Sequence, residues 1–90
     1  MTIQPDIEQS IEAKIKAAFN PLSFRLVNES GKHKGHAGDD GTGQTHFRLE
    51  IVSAAFAGKT RVESQRMVYG LLDEEFKRGL HALALKLSAP

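Results

Sequence analysis

The 90-residue chain has no cysteine. Disulfide staples, thiol catalysis and thiolate metal sites within the chain are thereby excluded. It also has almost no surplus of charge: 12 Lys and Arg stand against 11 Asp and Glu, for a formal net charge of +1. A protein whose affinity comes mainly from neutralising phosphates needs far more than that, although a local basic patch depends on placement and stays open. No apolar run approaches the roughly 20 residues that a membrane span requires. The first ten residues mix Pro5, Asp6 and Glu8 with isolated isoleucines. They lack the basic stretch and apolar core of a secretory signal. A soluble, cytoplasmic protein is the expectation. Ninety residues also leave little room for a deep private active site, because a chain this short hides only about 60–65% of its unfolded surface on folding.

What is present reads as one small α/β domain over residues 1–90. Ile3, Ile7, Ile11, Ile15 and Phe19 recur every fourth residue, with Ala18 beside them. This is the stripe of an amphipathic helix over about 4–19, ended at Asn20-Pro21 because a residue before proline avoids the α region. Leu22, Phe24 and Leu26 alternate with Ser23 and Arg25, which predicts a strand to Asn28. A second alternation, Phe47, Leu49 and Ile51 against His46, Arg48 and Glu50, predicts a strand over 45–52 with a partly polar outer face. After a turn ending in Gly58, Val62, Met67, Val68, Leu71 and Leu72 form a helical stripe over about 61–72. Asp73, Glu74 and Glu75 open a third helix that Gly79 caps. Leu83, Leu85 and Leu87 alternate in a last strand beginning at His81. The order α-β-β-α-α-β implies an α+β fold: a three-stranded mixed sheet with helices on one face.

Between the first two strands lies SGKHKGHAGDDGTGQ (30–44), with five glycines, two histidines, two aspartates and two lysines. Its composition argues against self-ordering, and loops beyond about 12–15 residues are usually functional or disordered. The chain's borderline metal ligands are four histidines: His33 and His36 in this loop, His46 at the second strand, His81 at the third. If the third strand enters beside the second, the loop can swing toward His81. Two imidazoles do not complete a site, since zinc takes four ligands, so a metal centre here would be shared with another molecule. The alternative is a solvated loop and a half-buried strand histidine.

Other chemistries fare worse. Neither Gly-rich phosphate motif is present, and the loop leads into a strand, so no helix N-terminus is there to hold an anion. The helix order resembles a KH domain of the second topological type, which grips nucleic acid with a G-x-x-G turn between two helices. Here both such spellings, Gly35 to Gly38 and Gly38 to Gly41, fall between strands, while the helix–helix junction reads LLDEE. Read as a helix-turn-helix, the second and third helices offer Arg61, Arg66, Lys77 and Arg78 with Lys59, opposed by Glu63, Asp73, Glu74 and Glu75. A surplus of one predicts at most weak, salt-sensitive DNA binding. No nucleophile–base pair or paired carboxylate points to an enzyme; Asp39-Asp40 reads as a solvated loop pair.

Taken together, Asn28-Glu29-Ser30 with His33, Thr45-His46-Phe47, Ile51-Val52-Ser53, Phe56-x-Gly58, Arg66-x-Val68-Tyr69 and Leu80-His81-Ala82-Leu83 resemble the BolA-like family, in family order and over nearly the whole chain. The resemblance implies the fold above. It also implies a partner, a monothiol glutaredoxin of the Cys-Gly-Phe-Ser type, with which a [2Fe–2S] cluster is shared. Cysteine and glutathione sulfur come from the glutaredoxin side and histidine from this side. The family's ligands carry over to His81 and to His33, with His36 competing in the loop. The chain alone is then a cofactor-free monomer that works in iron–sulfur assembly, trafficking or iron and redox regulation. The alternative implied by some members is a DNA-binding regulator of stress and morphology. One departure bears on it: many members carry Arg-His-Arg where Ser64-Gln65-Arg66 stands here.

Overall fold

A computed structural model describes residues 5–30 and 43–90. The elements are α1 (Ile7–Phe19), β1 (Ser23–Asn28), β2 (His46–Val52), a 3-10 turn (Ala54–Phe56), α2 (Arg61–Leu71), α3 (Asp73–Lys77) and β3 (Ala82–Ser88). His33, His36, both G-x-x-G spellings and Asp39-Asp40 lie outside the described residues.

Local chemistry sets the helix ends. α1 starts at Ile7, three residues later than expected, and Asp6 is its N-cap. Its carboxylate accepts from the Gln9 amide, and Gln9 reaches back to the Asp6 amide. At the other end Asn20 closes the helix in the left-handed region, φ 43 and ψ 58, and donates its amide to the Lys16 carbonyl. The terminator is thus an asparagine αL cap, and not an extended pre-proline residue. Thr60 and Glu63 form the same reciprocal box at the start of α2.

Strand order is β1-β2-β3, with β1 antiparallel to β2 and β3 parallel to it. The register stacks Phe24, Ile51 and Leu87 in one row and Leu26, Leu49 and Leu85 in the next. These rows face the helices. Ile7, Ile11, Ile15 and Phe19 of α1, with Val68 and Leu72, complete the core from the other side. Arg25, Glu50 and Lys86 form a row on the opposite, helix-free face.

Two sequence expectations fail at the helices. Val62 is 54% exposed and takes no part in the α2 stripe, while Ser64 is buried in its place. The buried face of α2 runs through 64, 68 and 72, and Val62 sits on the far side of that helical turn. Ala18 is likewise exposed, beside the α1 stripe.

A buried carboxylate ties α3 to α1. Glu75 is 1% exposed and meets the Lys14 ammonium at 2.9 Å. The hydrogen bond that Lys14 donates to Glu75 leads the causes that raise the Lys14 pKa above its ordinary value, against a smaller opposing effect of desolvation.

Candidate functional site

The parallel entry of β3 beside β2 brings two histidines together. β3 begins at Ala82, one residue after its expected start at His81; the His81 amide donates to the Thr45 carbonyl at 2.8 Å, and the Ala82 amide reaches the same oxygen at 3.0 Å. His46 opens β2 opposite Ala82. The two imidazole rings stand 5.3 Å apart, centroid to centroid, at 48°.

They differ sharply in environment. His46 belongs to the helix-free face, where the alternation predicted a solvated side chain, yet it is only 7% exposed. Its Nδ1 lies 2.8 Å from the Thr45 hydroxyl, a residue fully buried itself. Burial of a polar ring is tolerated because that nitrogen is satisfied. His81 is exposed. Among the described residues its ring touches His46 and makes no side-chain hydrogen bond. The half-buried placement expected as the alternative for His81 is therefore not found: His81 faces outward, and the buried imidazole is His46.

Ser30 builds the corner on which both stand. Its hydroxyl accepts from the Thr45 amide at 3.0 Å and the His46 amide at 3.0 Å, and donates to the His46 carbonyl at 3.3 Å. A serine hydroxyl has one proton and two lone pairs, so this one is used to capacity. Asn28 completes the clamp: its carboxamide oxygen accepts from the Ser30 amide at 2.9 Å, and its nitrogen donates to the Gly43 carbonyl at 2.8 Å. Gly43 takes φ +74, a conformation that disfavours any side chain. Ser30 and Gly43 are thus fastened to the strand end beside the histidine pair. Asn28, Ser30 and Thr45 stand in the runs that carry the family resemblance, but their role as a clamp is visible only in the fold. Nothing in their spacing announces it, because the partners are 15 and 16 residues apart across a loop.

Among the described residues no three His, Cys, Asp or Glu side chains are placed to hold a metal ion. The site contributes one open imidazole, with a second ring behind it. Among the described residues this donor set falls short of the four ligands that zinc takes.

The cations proposed for DNA contact are dispersed. Arg61 and Arg66 are exposed on α2. Lys77 pairs with Asp73 at 3.0 Å. Arg78 is half-buried; its guanidinium donates to the Ser10 hydroxyl at 3.0 Å and to the Pro5 carbonyl at 2.6 Å, stapling α3 to the start of α1. Among the described residues no helix is long and apolar enough to cross a membrane.

Comparison with known proteins decides the family. The family model described as BolA-like protein matches residues 15–90. The chain belongs to the BolA-like family. The UV-induced protein uvi31 of Schizosaccharomyces pombe is 53% identical over 84 residues, which cover 90% of this chain and 82% of that protein. The DNA-binding transcriptional regulator BolA of Escherichia coli is 39% identical over 79 residues, 88% of this chain and 71% of that one. Among solved structures, the BolA domain of SufE1 from Arabidopsis thaliana superposes with a TM-score of 0.85 at 36% identity, covering 98% of this chain and 96% of that one. The mixed α/β architecture of this BolA-like chain agrees with that domain. Relatives of this family thus include a named transcriptional regulator as well as a domain of a SufE protein.

Proposed function

We propose that this BolA-like protein is a non-catalytic partner of a monothiol glutaredoxin and supplies histidine to a [2Fe–2S] cluster shared between them. The observation that carries the reading is the exposed His81 ring, held at the β2–β3 corner by its own backbone and left without a side-chain hydrogen bond among the described residues. An imidazole that ligates must keep one nitrogen available, and it ligates best when its ring direction is set by neighbours. The His46 ring supplies a wall on one side of His81. The partner's cysteine and glutathione provide the sulfur that this cysteine-free chain lacks. Histidine in place of thiolate removes negative charge and raises the cluster's potential. The second ligand on this side is His33, with His36 as competitor. A three-residue stretch reaches at most about 11 Å from the fixed Ser30, and Ser30 is part of the same corner.

The test is co-expression with a monothiol glutaredoxin, followed by visible absorption and circular dichroism of the purified pair. A spectrum distinct from that of the glutaredoxin alone is expected. His81→Ala should lose that difference while the fold, read by far-UV circular dichroism, is unchanged. Identical spectra for the pair and the glutaredoxin alone would sink the proposal.

A second reading, a DNA-binding regulator, rests on the name of the Escherichia coli relative and on exposed Arg61 and Arg66. Of the four cations named for that surface, Lys77 is paired with Asp73 on the outside of α3 and Arg78 is engaged in the fold, which leaves Arg61 and Arg66. It requires sequence-dependent DNA retardation that survives about 150 mM salt.

A further inference from the structure

The far end of β3 carries a second surface. The hydrogen bonds at the two ends of the β2–β3 pair fix which residues turn their backbone inward. The Ala82 amide donates to the Thr45 carbonyl, and the Ser88 carbonyl accepts from the Ser53 amide. In a parallel ladder inward-facing residues alternate, so Ala82, Ala84, Lys86 and Ser88 bond β2. Leu83, Leu85 and Leu87 therefore turn their amides and carbonyls to the outer edge of the sheet. The first of these is already covered, for the Tyr69 hydroxyl donates to the Leu83 carbonyl at 3.0 Å. Leu85 and Leu87 have no such cover: no described side chain bonds their outward groups.

That uncovered stretch borders a groove of about 500 Å³ between the start of α2 and the end of β3. Phe56, Leu85 and Leu87 give it an apolar side, and Lys59, Arg61 and Lys86 line it with positive charge. No carboxylate lines it. Among the described residues Arg61 and Lys86 have no ion-pair partner, while Lys59 acts electrostatically on Glu63.

We propose that the outer edge of β3 at Leu85–Leu87 docks an extended segment of a partner protein in which acidic and apolar residues alternate, added as a fourth strand. Main-chain pairing supplies the attraction, as in other strand additions, and alternate side chains supply selectivity. With period 2, one set of partner side chains meets Phe56, Leu85 and Leu87 while the other set faces the Lys86 side. Charge selects the occupant. A second copy of this chain, adding β3 to β3, would bring Lys86 toward Lys86, and like charges across a strand pair destabilise it. Duplex DNA satisfies the cations but offers no alternating donors and acceptors for the edge. Leu85–Leu87 and His81 lie at opposite ends of one strand, roughly 15 Å apart at about 3.3 Å per residue. A segment seated here leaves His81 open, so this site is independent of the cluster reading.

The experiment uses the full chain, labelled with nitrogen-15, and the peptide acetyl-Glu-Val-Glu-Val-Glu-Val-amide. Saturable shifts of the Leu85 and Leu87 amides, with slowed hydrogen exchange at both, are expected. Arg61→Glu with Lys86→Glu should weaken binding about tenfold or more, since it replaces attraction by repulsion at two positions. The same peptide N-methylated at alternate residues keeps its charge but cannot pair, and it should not bind. A 12-base-pair duplex and the chain's own concentration dependence are the remaining arms. The proposal is overturned if no saturable shift occurs, or if the N-methylated peptide binds as well as the parent. It is overturned equally if the duplex occupies the site more tightly than the peptide, or if the chain dimerises through β3.

Discussion

Replacing Ser30 by alanine removes one oxygen atom and should loosen the whole histidine corner. The hydroxyl is 4% exposed as part of its residue and serves three main-chain groups at once. In Ser30→Ala the Thr45 and His46 amides lose their acceptor. Thr45 is fully buried and His46 nearly so, which keeps water from replacing the lost oxygen. Each orphaned buried donor costs about 1–3 kcal/mol. The His46 carbonyl also accepts from the Glu29 amide at 2.8 Å, so its loss is partial and adds little. The sum is roughly 2–6 kcal/mol, against the ~5–15 kcal/mol total of a small domain. For a chain of this size each 1 kcal/mol lowers Tm by about 4–8 °C, so a drop of at least about 8 °C is expected by thermal unfolding. Because the Thr45 carbonyl holds the His81 amide, the His81 ring resonances should shift as well. Ser30→Thr, which keeps the hydroxyl, should recover most of the stability. A Tm within 3 °C of the parent for Ser30→Ala, with unmoved His81 resonances, would show that the corner does not depend on this hydroxyl.

Three further outcomes follow from the ion pair and the caps. Lys14→Met strands the Glu75 carboxylate in the interior; because Lys14 itself is a third exposed, the cost is set at about 1–3 kcal/mol, below that of a fully buried pair. Lys14→Met with Glu75→Leu should recover that loss in urea unfolding, and failure to recover it would refute the pairing argument. The raised Lys14 pKa predicts a contribution fully present below the ordinary lysine value of 10.5 and lost as pH rises above it; Lys14→Met should flatten that alkaline limb. Bonds from Thr60 hold the Glu63 pKa below the ordinary 4.5, so its contribution is present above that value and lost as pH falls below it. Glu63→Gln should blunt the acid limb of the stability profile.

Periodicity alone determined where the elements lie. The i, i+4 run from Ile7 to Phe19 and the three period-2 apolar sets can bury their apolar side in only one arrangement each, so helix, strand and most of the inward face were legible; Leu22, counted in the first strand's set, instead precedes β1 and is 75% exposed. Val62 shows the limit of the same reasoning. A short helix offers apolar residues on more than one side, and only docking against the sheet selects 64, 68 and 72. The candidate ligands were legible as residue types, and the family resemblance ranked them. What tertiary structure alone decided was their environment: which ring is buried, which is exposed, and that the Ser30 hydroxyl holds the His46 backbone directly and the His81 backbone only through Thr45. Those facts arise from parallel pairing of β2 with β3 and from a loop closed across 15 residues. Contacts between positions so distant leave no local pattern for a sequence to display, because the chain's own periodicities extend only over neighbouring turns and pleats.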